Sequence, residues 1–203
     1  MIRRMRSPIV LLMAVLGLIL APTTVAGQAT PSTAEFRPAC AAAAVDTSAD
    51  NAASKDLPEW MTLPLSDART GTEYRVADYL GCTLYVETMA TWCLNCKMQL
   101  TNVQEAYPNL DPNRVVVIAI SVETELSAED LATYAEVSEF DFLFSVASVD
   151  MLKAIVDAFG RESIVPPSTP HVLVAPDGTV GDLRTGGTSP EEIVRLLTEL
   201  SGS

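Results

Sequence analysis

The residues with the clearest chemistry are Cys93 and Cys96, set in Trp92-Cys93-Leu94-Asn95-Cys96-Lys97. An apolar, strand-like run over residues 82–88 gives way to a helical pattern at this point. A helix N-terminus points unpaired backbone N–H groups and the positive end of its dipole at whatever sits there. A thiolate in that place is stabilised, its pKa falls, and it becomes a nucleophile near neutral pH. Cys93, nearest the helix start, is therefore read as the attacking and more exposed thiol. Cys96, one turn later, is read as the resolving thiol, buried against the sheet and able to attack a mixed disulfide. A bare surface pair would be inert or would bind metal; the strand-to-helix setting favours dithiol–disulfide exchange. That reaction requires no cofactor.

Other residues near the pair have candidate roles. Glu87 lies inside the apolar strand, where a desolvated carboxylate has a raised pKa and can act as a general base. Lys97 adds positive charge beside the thiols, or is simply a surface lysine. Asn95 has no proton chemistry and is read as shaping substrate fit and thiol acidity. Gly186-Gly187 reads as a backbone loop flanking the site, or as a plain turn before the last helix. Two further cysteines remain, Cys40 in a Pro/Ala-rich stretch and Cys82 at the start of the strand. They could pair, but spacing alone does not fix connectivity.

The elements that must position these residues follow from pattern and punctuation. Residues 63–76 read as a short hairpin turning at Asp67 and Gly71. After the strand at 82–88 comes a helix over 94–106, with Leu100 and Val103 on one face. Residues 114–122 form a continuous apolar run, expected of a strand buried on both faces. Ser127-Ala128-Glu129-Asp130 opens a helix to about residue 138. A strand over 142–146 leads to a helix over 149–159, with Ser148 as its cap and Gly160 as its stop. Strands over 171–175 and 179–183 are joined by Pro176-Asp177-Gly178. Ser189-Pro190 starts the last helix. From residue 80 the order is β-α-β-α-β-α-β-β-α. This predicts an α/β fold, a central mixed sheet flanked by helices, with an N-terminal hairpin extension.

The N-terminus reads as something other than folded domain. Arg3, Arg4 and Arg6 precede an uncharged apolar run over 9–21, and Thr24-Val25-Ala26 offers small residues for cleavage. This is the secretory pattern, and the run is short for a membrane span. Residues 1–26 are read as a signal peptide, with an uncleaved membrane anchor as the alternative. Met5-Arg6 follows the arginine pair poorly for twin-arginine export, which favours the general route. Residues 27–58, rich in Ala, Thr, Ser, Pro and Asp, read as a flexible linker, and 59–203 as the folded domain. The expected location is extracytoplasmic: periplasm, cell envelope or secreted. The formal charge of the chain is −13, and losing the three leader arginines takes it to −16. Such acidity provides no basic face for nucleic acid.

The Trp-Cys-x-x-Cys at the end of the first core strand, together with this element order, resembles the thioredoxin fold over about residues 60–200. Val165-Pro166-Pro167-Ser168-Thr169-Pro170 before the strand at 171 is a second match. The resemblance implies that Pro170 is a cis-proline facing the dithiol, with Thr169 offering backbone hydrogen bonds to a bound substrate. It also implies that Glu87, six residues before Cys93, relays the proton of Cys96, and that Trp92 packs over the dithiol and limits solvent access. Within the superfamily the leader, the hairpin and the longer insert around 122–150 resemble TlpA/ResA-like extracytoplasmic thiol–disulfide oxidoreductases of bacteria. Several of these are reductants in cytochrome c maturation. The implied partners are a protein substrate with a cysteine pair, a membrane thiol relay as electron donor, and a membrane tether through the N-terminus. The sequence departs from that pattern at Leu94-Asn95, which does not end in Pro, at Gln99, where many members have Glu, and at Thr101, where thioredoxins carry Pro. The single histidine, His171, follows Pro170, which raises the alternative of a copper carrier using Cys93, Cys96 and His171. A peroxiredoxin motif is a poorer match, because Thr91 stands two residues before Cys93 rather than three.

Overall fold

The computed structural model describes residues 57–202. The leader, nearly all of the linker and Cys40 lie outside the described residues. No helix among the described residues is long and apolar enough to cross a membrane.

A short helix, α1 (Glu59–Thr62), is followed by the hairpin β1 (Leu65–Ser66) and β2 (Glu73–Tyr74), paired antiparallel through Leu65–Tyr74 and Ser66–Glu73. Gly71, at φ +71°, supplies the left-handed residue this turn needs. A 3-10 turn over Val76–Tyr79 leads into β3 (Thr83–Met89) and α2 (Leu94–Ala106). Next come β4 (Val115–Ser121), α3 (Ala128–Val137), β5 (Leu143–Val146) and α4 (Val149–Phe159). Two 3-10 turns, Arg161–Ile164 and Pro166–Ser168, precede β6 (His171–Val174), and α5 (Pro190–Ser201) closes the domain.

The four-stranded sheet has the order β5-β4-β3-β6. Strands β3, β4 and β5 are mutually parallel, and β6 runs antiparallel to β3. All seven residues of β3 and all seven of β4 are buried, as expected of central strands with both faces covered. Side-chain alternation divides the core in two. Tyr85 and Met89 point to the face covered by Leu100 and Val103 of α2, Leu131 of α3 and Ile193 and Leu197 of α5. Cys82, Leu84 and Val86 point to the other face, against Trp60, Tyr74, Met151 and Ile155. The mixed sheet flanked by helices with a leading hairpin is thus the observed architecture.

Helix starts follow side-chain capping. Ser127, Ser148 and Ser189 each accept a hydrogen bond from the backbone N–H three residues on. At α3 the Ser127 hydroxyl also donates to Asp130 at 2.7 Å. Gly160, at φ +80°, ends α4.

One expected strand is absent. Residues 179–183 do not form a ladder; only Val180 bridges Val174 and Arg184 bridges His171. Four residues separate the two bridges on one side and three on the other, so the register slips by one, as at a β-bulge. Gly181 sits at the slip, where a side-chain Cβ would lie 3.2 Å from the Leu173 carbonyl oxygen. Sheet-like alternation in the sequence cannot reveal such a slip.

Candidate active site

The C-terminal end of β3 delivers the chain to Ala90-Thr91-Trp92 and then to Cys93, which is the N-cap of α2. Its backbone is extended (φ −85°, ψ 107°), and its Sγ accepts from the Cys96 N–H at 3.0 Å. A sulfur thus takes the capping place that Ser or Asp fills elsewhere. Cys93 and Cys96 are joined as a disulfide, with Cα atoms 5.3 Å apart. Cys96 is fully buried and Cys93 is 3% exposed, so the expected difference in exposure is small in the oxidised form. Cys96 Sγ lies 3.0 Å from the Pro166 carbonyl oxygen, which would accept a hydrogen bond from the thiol once the disulfide opens.

The surround is apolar and open. Trp92, Leu94 and Met98 are 65%, 71% and 59% exposed, and Val165 is 47% exposed. Trp92 and Leu94 flank Cys93 in sequence, Met98 is one turn further along α2, and Val165 precedes Pro166. Trp92 is therefore a surface aromatic beside the dithiol, not a core residue. Asn95 Nδ2 donates to the Pro167 carbonyl at 2.9 Å and ties the first turn of α2 to the 166–168 turn. Thr101 Oγ1 donates to the Lys97 carbonyl at 2.8 Å, and α2 continues unbroken to Ala106.

On the Tyr85 face of β3, whose core also includes Cys93 and Cys96, lies a buried polar cluster. Glu87 is fully buried. Its Oε2 accepts from the Tyr85 hydroxyl at 2.9 Å, while its Oε1 has no partner. Burial pushes its carboxyl from 4.5 up to about 8, against a smaller lowering by the Tyr85 hydrogen bond. Gln99 of α2 donates to the Tyr85 hydroxyl at 3.0 Å and accepts from the Thr188 N–H at 2.8 Å. A continuous chain of hydrogen bonds thus links Glu87 to the 186–188 loop. Gly186 has φ +88°, and its N–H donates to Ser168 at 2.7 Å. Together with Asn95, Met98, Pro167 and Thr169 this loop borders a groove of about 270 Å³ beside the first turns of α2. The flanking role read for Gly186-Gly187 agrees with this position.

The proline reading needs correction. No peptide bond among the described residues is cis, so Thr169–Pro170 is trans. The chain reverses instead at Thr169, which is left-handed at φ 48°, ψ 57°. With the turn made there, the Thr169 carbonyl meets His171 Nδ1 at 2.9 Å and the Pro170 carbonyl accepts from the Thr88 N–H at 3.1 Å. These backbone groups are used within the fold. The Thr169 hydroxyl is buried without a partner.

His171 does not join the cysteines. Its ring stacks on Tyr85 with centroids 5.1 Å apart, and burial holds its pKa below the ordinary histidine value. Among the described residues no group of three or more His, Cys, Asp or Glu is placed to hold a metal ion. The arrangement therefore gives the copper alternative no geometry to rest on.

Sequence reasoning missed Glu123. Its carboxylate accepts from the Thr91 N–H at 2.6 Å and the Thr91 hydroxyl at 3.1 Å, and so clamps the loop that presents Cys93. Glu123 lies just past the end of β4, which is next to β3 in the sheet; only the parallel pairing brings it there. Tyr85 and Gln99 were missed for a similar reason. The one available signal was an amide, Gln99, on the buried side of a helix otherwise lined by Cys96, Leu100 and Val103.

Comparison with known proteins agrees with this geometry. The family described as AhpC/TSA matches residues 53–180. The thiol-disulfide oxidoreductase ResA of Geobacillus thermodenitrificans is 28% identical over 137 residues, which is 67% of this chain and 72% of that protein. Among solved structures, a thioredoxin-family thiol:disulfide interchange protein from Chlorobium tepidum superposes with a TM-score of 0.60 at 15% identity, over 69% of this chain and 93% of that one. DsbF of Mycobacterium tuberculosis superposes with a TM-score of 0.55 at 19% identity, over 71% and 98%. At such identities the structures bear on the fold, and the family match rests on the sequence. With a thioredoxin-like sheet and a Cys93–Cys96 disulfide capping the helix that follows β3, the chain belongs to the AhpC/TSA family.

Proposed function

We propose that this chain is an exported thiol–disulfide oxidoreductase that reduces disulfides in protein substrates, with Cys93 as nucleophile and Cys96 as resolving thiol. The observation that carries the reading is the Cys93–Cys96 disulfide placed as the N-cap of α2. The ResA relatives support the reaction class by name. In the reduced protein the Cys93 thiolate attacks one sulfur of a substrate disulfide, forming a mixed disulfide and releasing the other substrate sulfur as a thiolate. Cys96 then loses its proton and attacks Cys93 Sγ. The intramolecular disulfide re-forms and the second substrate sulfur leaves. Glu87 is assigned as the base for Cys96, because it is buried on the same face of the sheet with one carboxylate oxygen unpartnered. Trp92, 65% exposed, is assigned to substrate contact.

The reductant direction rests on the resemblance to TlpA/ResA-like proteins, several of which are reductants. In this reading electrons come from a membrane thiol relay, and the leader pattern read over residues 1–26 supports a location outside the cytoplasm, released or tethered. Cytochrome c maturation is the corresponding role within the resemblance.

A glutathione or dithiothreitol titration of the Cys93–Cys96 couple tests the direction. A value near that of thioredoxin, about −270 mV, is expected, and a value near −120 mV would make the protein an oxidant instead. The chemistry is tested by trapping. Cys93→Ser abolishes exchange with a disulfide peptide, whereas Cys96→Ser accumulates a mixed disulfide visible on a non-reducing gel. Full turnover by Cys96→Ser would remove the two-cysteine scheme.

A further inference from the structure

Glu87, Tyr85 and Gln99 form a line of three buried polar side chains, and the direction of every hydrogen bond in it follows from one end. The Thr188 N–H can only donate, and it meets Gln99 Oε1 at 2.8 Å. The amide oxygen is thereby fixed toward the loop. Gln99 Nε2, which also can only donate, then meets the Tyr85 hydroxyl oxygen at 3.0 Å. The Tyr85 proton is left for Glu87 Oε2, 2.9 Å away. A protonated carboxyl has one O–H donor and accepts best at its other oxygen. The proton of neutral Glu87 therefore belongs on Oε1, the oxygen without a partner. We infer that Gln99 and Tyr85 are positioning residues that keep the exchangeable proton of Glu87 on Oε1, outside the fold's own hydrogen bonds and available to Cys96. The inference rests on the reading of Glu87 as the base for Cys96.

The line does two things for a proton that must move. It occupies one carboxyl oxygen, so the neutral and the ionised acid present the same free atom to the core. It also stabilises the carboxylate, because the Tyr85 hydrogen bond works against the burial that raises the Glu87 pKa to about 8. Without that bond the acid would ionise at a higher pH still, and less base would be present near neutrality. The other groups around Glu87 leave this control with Tyr85. His171 of β6 is the register partner of Glu87 and stacks on Tyr85; burial lowers its pKa, so the ring is neutral at pH 7. The Tyr134 hydroxyl of α3 is pushed up to about 12, by burial first and then by Glu87 and Glu123, so it is neutral too. Glu123, past the end of β4, is engaged with Thr91. Helix α5 contributes the uncharged Ile193 and Leu197, and α2 contributes Cys93 and Cys96 themselves. Gln99 also lines the groove with Gly186 and Gly187, so its amide stands between the groove and the acid.

The test uses the reduced full chain and dipyridyl disulfide, which releases one absorbing thiopyridone when Cys93 attacks and a second when Cys96 resolves. Stopped-flow mixing from about pH 6 to about pH 10 gives the pH profile of the second phase. In Tyr85→Phe that profile should move to higher pH, with resolution about 3- to 10-fold slower near pH 7 and regained at the alkaline end. Gln99→Met keeps the side chain's length and removes the donor to Tyr85, and it should shift the profile the same way, by about 2- to 3-fold near pH 7. Lost packing alone would lower Tm and leave the midpoint of the profile in place, and that result in both variants overturns the positioning role. An unshifted Gln99→Met beside a shifted Tyr85→Phe overturns the part given to the amide. Infrared spectroscopy of the oxidised protein near pH 6 reads the proton's place. The neutral-carboxyl band that disappears in Glu87→Gln should move to higher frequency in Tyr85→Phe, because its carbonyl oxygen loses a hydrogen bond; an unmoved band overturns the placement on Oε1. If Glu87→Gln leaves the second phase unchanged at every pH, the base assignment itself fails and takes the positioning role with it. If Glu87→Gln flattens the profile while Tyr85→Phe keeps that of the wild type, the base assignment stands and this inference alone is refuted.

Discussion

Glu87 shows how one buried side chain couples reactivity to stability. Burial raises its folded-state pKa from 4.5 to about 8. Between those values the folded chain keeps a proton that the unfolded chain has released. Stability therefore falls as pH rises from about 4.5 to about 8, by about 1.4 kcal/mol per pH unit, and levels off above. Thermal unfolding of wild type and Glu87→Gln at pH 5, 6, 7 and 8 checks the sign: the wild-type Tm should decline across the series and the variant's decline should be much shallower. The same substitution should slow resolution of the mixed disulfide by about 10- to 100-fold near pH 8, within the usual range for a general base. Glu123 acts differently, by holding the Thr91 loop through two hydrogen bonds. Glu123→Ala should cost about 1–3 kcal/mol in urea unfolding and slow attack by Cys93, because the loop before the nucleophile loses its anchor. Normal attack kinetics in a destabilised variant would show that the clamp serves stability alone.

At the scale of elements, α2 does two tasks at once. Its N-terminus presents the dithiol, and its inner face carries Gln99, Leu100 and Val103 into the core. Gln99 connects the helix to Tyr85 of β3 and to the Thr188 N–H, so helix, strand and loop share one polar contact within an apolar interface. Helix α4 is a contrasting case, far from any chemistry and held by its cap and its packing. Its Ser148 hydroxyl accepts from the Met151 N–H at 3.0 Å. Ser148→Ala should therefore lower unfolding free energy by about 1 kcal/mol while leaving disulfide exchange unchanged, as read by paired urea titration and peptide assay.

For the whole molecule, charge is the dominant long-range property. The formal charge is −13, and the stretch from 115 to 152 contains acids and no Lys or Arg. A field of that sign attracts basic substrates and repels acidic ones over roughly a Debye length. Exchange with a basic disulfide peptide should thus slow several-fold between 20 and 300 mM salt, and with an acidic peptide of equal length it should quicken. Stopped-flow fluorescence on the two peptides reads this directly; identical salt responses would show that local contacts around Trp92 and Leu94 govern association.

Much of this protein was legible in one dimension, because the features concerned are local. The Cys-x-x-Cys spacing, the 94–106 and 149–159 helices, the serine caps and the buried run of β4 each depend on neighbours within a few residues. Their boundaries agree with the structure to within a residue or two. The thioredoxin-like order followed from stringing such local units together. What only the tertiary structure decided involves residues distant in sequence. Pairing of β3 with β4 brings Glu123 to Thr91, and packing of α2 on β3 brings Gln99 to Tyr85. The bulge at Gly181 removes an expected strand, and the left-handed turn at Thr169 replaces an expected cis bond. Propensity and periodicity act along the chain, whereas register, burial and hydrogen-bond partners are set by which segments meet across the sheet. The dithiol could therefore be read from the sequence, and the groups that position and tune it could not.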